Sequence, residues 1–405
     1  MNAALYSKLS AMMFMEYAVW GAWMPVLAAR LLGPLKMSGK QTGWIYATLP
    51  LASMISPLGA GWLADNHIDM RWILVAMHLV GAVLLLAAVN LERFWSLFTV
   101  MLLYSMCYAA TIPLVNALMF RHLTDAEAQS PGIFIWAPVA WALVGYFLSG
   151  WRMLRGVGTG KDCLVLAGIL SLVMAAVCAV QPATPPQPAQ VGASALGLLR
   201  DPNFLIFILV SLFVAGTMQF YFLGTAQFMQ DMGIPGKAVP GSMAIAQAVQ
   251  AIATVAALGY LMKTIGPKWT LTLGAASWFL MYVAYVIGRP RGMIILSQSL
   301  HGVAYVLFII AGQLFVSNVA GPKIAGSAQG LIILVTTGIG LFLGTQLAGV
   351  VMDRFSLDGK FQWSKVWTVP AAITLAGAIV LAAVFQQPAA APPKAAAPPA
   401  PVEAG

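Results

Sequence analysis

The stretch "WILVAMHLVGAVLLLAAVNL" at residues 72–91 is twenty residues long, carries no charged side chain and has a single titratable group, His78. A helix rises 1.5 Å per residue, so about 20 residues cross the roughly 30 Å hydrocarbon core of a bilayer. Eleven further runs of this kind follow or precede it. They lie near 9–31, 42–64, 94–120, 133–151, 163–182, 204–228, 241–263, 269–288, 292–317, 325–352 and 364–385. Every backbone N–H and C=O must be paired internally in hydrocarbon, so the runs are expected to be helices, and the alternation of a β-barrel is missing. The whole chain agrees: of 405 residues, 60% are hydrophobic and 8% charged, against about 25% charged in a soluble domain. A water-soluble fold is excluded.

The first run resembles a signal peptide only in position. It holds Glu16 at its middle and is as long as the others, so it reads as a membrane helix. Cys107, Cys163 and Cys178 all fall inside expected spans without CxxC spacing, which points to neither a disulfide framework nor a metal site. The net charge of +9 is scattered over a dozen loops and suggests no nucleic-acid partner.

The longest internal break, "ATPPQPAQVGASALGLLRDPN" at 183–203, opens with prolines that a helix cannot accommodate. It divides the spans into an expected N-terminal bundle at 1–182 and a C-terminal bundle at 204–385. Residues 386–405, "QQPAAAPPKAAAPPAPVEAG", are a Pro/Ala tail expected to be disordered. "YAATIPLVNALMFRHLTDAEAQSPG" from Tyr108 aligns without gaps to "YVLFIIAGQLFVSNVAGPKIAGSAQG" from Tyr305; Asn116 and Gln313 each follow eight residues after the tyrosine. This weak internal repeat and the central break favour the all-α major facilitator fold, with about 12 transmembrane helices in two six-helix bundles and substrate near the midplane between them.

A polar group facing lipid is costly, so polar residues in mid-span face a cavity or a neighbouring helix. Glu16 is the one acid placed well inside an expected span, with Trp20 and Trp23 at i+4 and i+7 on its face. It is either a buried carboxylate bonded to another helix or a proton or substrate site. Span 8 places Gln247, Gln250 and Thr254 on one face, span 7 offers Gln219 and Tyr221, and span 10 offers His301 and Tyr305. Amides, a phenol and aromatic faces suit a flat ring with hydroxyl or amide edges; interhelical hydrogen bonding is the alternative. His67, His78 and His122 are too scattered for a metal set, and no HExxH, P-loop or nucleophile elbow is present. No enzymatic activity and no cofactor are expected.

"MMFMEYAVWGAW" (12–23), "GWIYATLPLASMISPLGAGWLAD" (43–65), "HLVGAVLLLAA" (78–88), "YAATIPLVN" (108–116), "IWAPVAW" (135–141), "SWFLMYVAYVIG" (277–288), "LHGVAYVLF" (300–308) and "GSAQGLIILVTTGIG" (326–340) resemble, in order, the nucleoside:proton symporter family of the major facilitator superfamily. The resemblance implies alternating access by a monomer in a bacterial inner membrane, with protons and a nucleoside-like substrate as partners and both termini cytoplasmic. "GWLAD", ending at Asp65, looks like a reduced form of the superfamily's cytoplasmic loop between spans 2 and 3. Gln219 and Gln247 match polar positions credited with contacting nucleoside, His301, Tyr305 and Trp141 fall on aromatic ones, and Asn116 and Trp136 follow the pattern. Phe134, Gln250 and Val306 depart from it: the better-known permeases have arginine, glutamate and aspartate there. These losses leave the cavity nearly neutral and move the expected proton-coupling role to Glu16, where the permeases have glutamine. The alternatives are an uncoupled facilitator, a symporter for another neutral metabolite, and a non-transporting sensor. Loop charges oppose the implied orientation. Lys8, Arg71, Arg121, Arg200, Lys263, Lys268, Lys323 and Lys394 make eight positive residues on the cytoplasmic side, against thirteen on the other, whereas cytoplasmic loops normally carry the excess.

Overall fold

The computed structural model describes residues 2–158, 160–186 and 195–386; the middle of the central loop and nearly all of the Pro/Ala tail, including Lys394, lie outside the described residues. Among these residues eleven helices are long and apolar enough to cross a membrane. With the first helix they are α1 Ala3–Trp23, α2 Gly39–Asn66, α3 Met70–Ala88, α4 Phe94–Arg121, α5 Gln129–Arg155, α6 Asp162–Ala179, α7 Pro202–Asp231, α8 Val239–Thr264, α9 Gly266–Ile287, α10 Arg291–Ala320, α11 Ser327–Arg354 and α12 Trp363–Ala383. α1 matches the others in length but not in apolarity, diluted by Ser7, Lys8, Ser10 and Glu16.

The expected first span, 9–31, is broken. α1 stops at Trp23, and after a turn containing Pro25 a short helix, Leu27–Leu32, takes over. Proline lacks an N–H and its ring clashes with the preceding turn. The freed backbone groups are satisfied from α2: the Tyr46 hydroxyl donates to the Met24 carbonyl at 2.8 Å and accepts from the Ala28 N–H at 2.9 Å. A second departure is a two-residue antiparallel pairing, Ser356–Leu357 with Lys360–Phe361, between α11 and α12. A third is a short 3₁₀ helix, Ala195–Arg200, within the stretch expected to be loop.

Packing partners sort the helices into two sets. α2 packs on α4, α3 on α4 and α6, and α1 on α5 and α6; α9 packs on α10 and α12, α7 on α11 and α12, and α8 on α10. Across the sets, α2 meets α11 and α5 meets α8. These crossings concentrate at the end that carries the α1–α2 loop. There a Cβ on Gly39 would stand 2.6 Å from the Gly349 carbonyl, and one on Gly43 2.7 Å from the Thr345 carbonyl. Asp353 of α11 seats its carboxylate on the first turn of α2, accepting from the Gly39 N–H and, at 3.0 Å, from the Lys40 N–H; a helix N-terminus favours an anion there. On α5 and α8, a Cβ on Gly145 would meet that of Ala244 at 2.8 Å, and the Ser149 hydroxyl donates to the Lys237 carbonyl at 2.6 Å.

Toward the opposite end the same helices lose this cover. Ile55 and Leu58 of α2 and Ile252 and Val255 of α8 are exposed, and Gly59, Gly61 and Gly259 have open space beside them. The two sets are therefore joined at the α1–α2 loop end and part toward the end that holds the chain's N-terminus. At that second end the start of the central loop is pinned to the first set. The Thr184 N–H donates to Asp69 Oδ2 at 2.9 Å, Arg121 donates to the Pro185 carbonyl at 2.9 Å and reaches Asp65 at 3.4 Å, and His122 Nε2 lies 2.9 Å from Thr184 Oγ1. Burial, and then the neighbouring Arg121, push the His122 pKa down, which keeps the ring a neutral hydrogen-bonding partner at neutral pH.

Candidate functional site

Glu16 is fully enclosed where α1, α3, α4 and α6 meet. Its Oε2 is 3.0 Å from His78 Nε2 on α3, and its Oε1 accepts from the Thr111 hydroxyl on α4 at 2.7 Å. The Tyr108 hydroxyl donates to the Glu16 backbone carbonyl at 2.7 Å. On the far side of the imidazole, Ser171 of α6 places its Oγ 3.3 Å from His78 Nδ1 and donates to the His78 carbonyl at 2.9 Å. Sequence reasoning passed over His78, Thr111 and Ser171. The signal was present for His78: as the single titratable group in its apolar run it needed a partner as much as Glu16 did.

From this cluster an aromatic chain crosses between the two helix sets. Ring centroids run from Tyr108 to Trp20 at 6.2 Å, Trp20 to Trp141 at 5.3 Å, Trp141 to Phe222 at 6.0 Å, Phe222 to Tyr221 at 5.3 Å, and Tyr221 to His301 at 3.9 Å in a stacked pair. Gly21 lets Trp141 lie against α1, because a Cβ there would touch the indole at 3.0 Å. His301 is held by Trp278, whose Nε1 donates to Nδ1 at 3.1 Å, and the Tyr221 hydroxyl donates to Gln298 Oε1 at 2.9 Å. Trp23 keeps to the side of α1 that Glu16 turns toward α4 and meets that helix one turn further along: it packs on Tyr46 and Tyr104 and donates to the Tyr104 hydroxyl at 3.2 Å. A one-turn offset along α1 is enough to send the two indoles to different neighbours.

Trp141, Tyr221 and Gln247 line one cavity between the sets, with Gly21, Pro25 and Phe222. Its free volume is only about 20 Å³, close to that of a single water site, so no ring compound fits until its walls separate. On the helices of the two sets stand polar atoms that no described protein group satisfies, among them both amide atoms of fully buried Gln219, the Trp20 Nε1 and the Asn116 Oδ1. Each orphan of this kind costs about 1–3 kcal/mol and marks a place where a ligand or water supplies the missing partner.

Tyr305 and Gln313 are placed differently from the sequence expectation, and Gln250 lies where α8 meets α10. Gly302 of α10 presses on the Ala246 carbonyl and the Gln250 N–H of α8, so Gln250 sits at a tight helix contact. Just beyond, both helices widen into π turns, Thr254–Leu258 and Tyr305–Ile310, which touch each other; α11 has a third at Leu334–Gly340. A π turn inserts a residue into the helical ladder. Tyr305 and Gln313 therefore do not keep the two-turn register that Tyr108 and Asn116 keep on α4, and the Gln313 backbone carbonyl accepts from the Gln329 side-chain amide of α11 at 2.7 Å. Two of the three departures from the family pattern are apolar: Val306 is buried in the π turn of α10, and Phe134 packs on Phe120. Among the described residues no group of three or more His, Cys, Asp or Glu side chains gathers for a metal.

Two helix sets sealed at one end and parted at the other, with unpartnered polar atoms and aromatic faces between them, define an alternating-access secondary transporter of the major facilitator type. A family model described as Nucleoside H+ symporter matches residues 1–390, and the chain belongs to that family. The putative nucleoside transporter YegT of Escherichia coli (strain K12) is 29% identical over 92% of this chain and 92% of its own length. The nucleoside permease NupG of the same organism is 24% identical, covering 93% of this chain and 94% of its own. A crystal structure of nucleoside transporter NupG superposes with a TM-score of 0.82 at 23% identity, covering 96% of this chain and all of that one.

Proposed function

We propose that this chain is a monomeric proton-driven importer of nucleosides in a bacterial inner membrane. The observation that carries the reading is Gln219, a fully buried amide with neither atom paired, beside an aromatic chain that joins the two helix sets. A nucleoside supplies what this arrangement lacks: hydrogen-bonding edges for an amide and a flat ring for aromatic faces. Trp20, Trp141, Tyr221 and Gln247 form the wall such a ring would meet, Asn116 adds an acceptor, and His301, Gln250 and Tyr305 shape the part of the wall set by α8 and α10. Glu16 is the group that takes up the proton. The test is a competition panel of nucleosides, nucleobases and sugars against labelled nucleoside in proteoliposomes. Competition by nucleosides supports the reading, and competition by sugars alone overturns it. Binding without flux on the same sample identifies a sensor.

Gln219→Ala is expected to weaken nucleoside binding by about 1–3 kcal/mol, roughly 5- to 150-fold in Kd, and Gln247→Ala to act in the same direction. Thermal stability without substrate should not fall in Gln219→Ala, since the substitution removes two orphaned polar atoms rather than a hydrogen bond. Calorimetric or fluorescence titration, with melting curves of the same preparations, checks both halves. A stability loss with normal affinity would make Gln219 structural.

Both termini are assigned to the cytoplasm, which makes the sealed end periplasmic and the parted end inward-facing. The loop charges oppose this, although two of the thirteen opposing cations are buried: Arg30, and Arg152, which is bound at 2.6 and 2.7 Å by Asp162. A reporter fused after Lys394 should be active only in its cytoplasmic form. Periplasmic activity reverses the orientation and the direction of the crevice.

A further inference from the structure

We propose that Glu16 and His78 form one proton-binding site, and that the structure holds it loaded with a single proton. Hydrogen-bond accounting leads there. The Ser171 hydroxyl has one hydrogen, and at 2.9 Å from the His78 carbonyl it is committed to that oxygen, which can only accept. Ser171 Oγ therefore faces His78 Nδ1 as an acceptor, and Nδ1 carries the hydrogen across the 3.3 Å contact. A neutral ring protonated on Nδ1 has a bare lone pair on Nε2. That lone pair stands 3.0 Å from Glu16 Oε2. Two bare lone pairs repel at this distance, so one proton lies between them, on the carboxyl or on the imidazole.

Either placement gives the pair no net charge, as carboxylic acid with imidazole or as carboxylate with imidazolium. Removing the proton leaves one negative charge. The titratable groups that face the pair are Tyr17 on its own helix, Tyr104 and Tyr108 on α4, and Cys178 on α6. All four are weak acids and none supplies a positive charge. Glu16 is 0% exposed and His78 2%, so a lone charge on the pair has no water to solvate it while the site is closed. Release of the proton is thereby tied to the admission of water. Ser171 is a positioning residue that fixes the imidazole tautomer, and Thr111, 2.7 Å from both Glu16 Oε1 and the Tyr108 carbonyl, shares its one hydrogen between those two acceptors. The use of this proton in transport rests on the symport reading above; its binding by the pair does not.

The experiment is infrared difference spectroscopy on the purified full chain during pH jumps, with the proton as probe and no substrate present. Wild type should show one band of the pair's proton, a buried carboxyl band or an imidazolium ring band, that disappears as pH rises. That band should be missing in Glu16→Gln, and in His78→Gln its midpoint should move by about one pH unit or more. Ser171→Ala, a milder change, should move the midpoint as well and serves if His78→Gln does not fold. A band that survives in Glu16→Gln, or a midpoint unmoved in His78→Gln or Ser171→Ala, overturns the proposal. Uptake in proteoliposomes under an imposed pH gradient separates the two readings. A titrating pair in a protein indifferent to the gradient supports the proton site and overturns symport. Gradient-driven accumulation without a titrating pair overturns the site and leaves symport standing.

Discussion

Glu16→Gln is expected to abolish accumulation of labelled nucleoside driven by an imposed pH gradient, while exchange at equal pH on both sides stays measurable. The substitution suits its surroundings. A glutamine carbonyl can accept from Thr111 as Oε1 does at 2.7 Å, and its amide N–H can donate to His78 Nε2 across the 3.0 Å now spanned by Oε2. The variant therefore imitates the proton-loaded site and cannot unload it. One pH unit is worth about 1.4 kcal/mol per proton, so a carrier moving one proton per substrate concentrates its substrate up to about tenfold, and the variant's ratio should fall to about one. Glu16→Ala is a poorer probe, because it strands His78 and Thr111 without a partner at about 1–3 kcal/mol each. Accumulation by Glu16→Gln equal to wild type would make the carboxylate structural; a wild type that ignores the gradient would make the protein a facilitator.

What the sequence reveals of this molecule follows from how local each cause is. A bilayer's thickness acts on every twenty-residue window alone, so the run at 72–91 becomes α3 with ends shifted by only a few residues. The break after Trp23 was equally local, since Pro25 announces it. Glu16 could be singled out because burial of an acid is expensive wherever it occurs. Which groups it meets could not be read: His78 is conspicuous in its own run, yet it and Ser171 lie 93 residues apart and meet only because α3 packs on α6. The π turns were hidden for a related reason. Gly274 of α9 lies so close to the wide turn of α10 that a Cβ would come within 2.7 Å of the Leu307 carbonyl carbon and the Phe308 nitrogen. The close approach belongs to the packed pair of helices and to neither sequence by itself. Gln219 was marked as polar in an apolar run, yet its lack of any partner, which gives it functional meaning, is a property of the assembled interior.

The seam between α2 and α11 carries the other large expected effect. Gly43→Val should reduce nucleoside transport tenfold or more without reducing the amount of folded protein in the membrane. A Cβ at Gly43 lands 2.7 Å from the Thr345 carbonyl and 3.6 Å from the Gly349 Cα. The obstruction is backbone on a rigid helix, so α11 must retreat as a unit. Overpacking of this kind costs about 1–3 kcal/mol, and here the cost falls only on conformations in which the α1–α2 loop end is shut. Retreat also draws Asp353 away from the first turn of α2, where it meets the Gly39 and Lys40 N–H groups. At about 1.4 kcal/mol per tenfold, the population shift away from the sealed state is of the order of 5- to 150-fold. A carrier that must seal this end before releasing substrate at the other slows in proportion. Gly150→Ala, at a glycine of α5 with nothing within reach of a Cβ, is the matched control and should transport normally. The measurements are the initial rate of exchange and the labelling of a cysteine placed at Lys40, which should react faster with a membrane-impermeant thiol reagent in the Gly43→Val background. Unchanged labelling together with unchanged transport would mean that α2 and α11 do not need to close on each other at this seam.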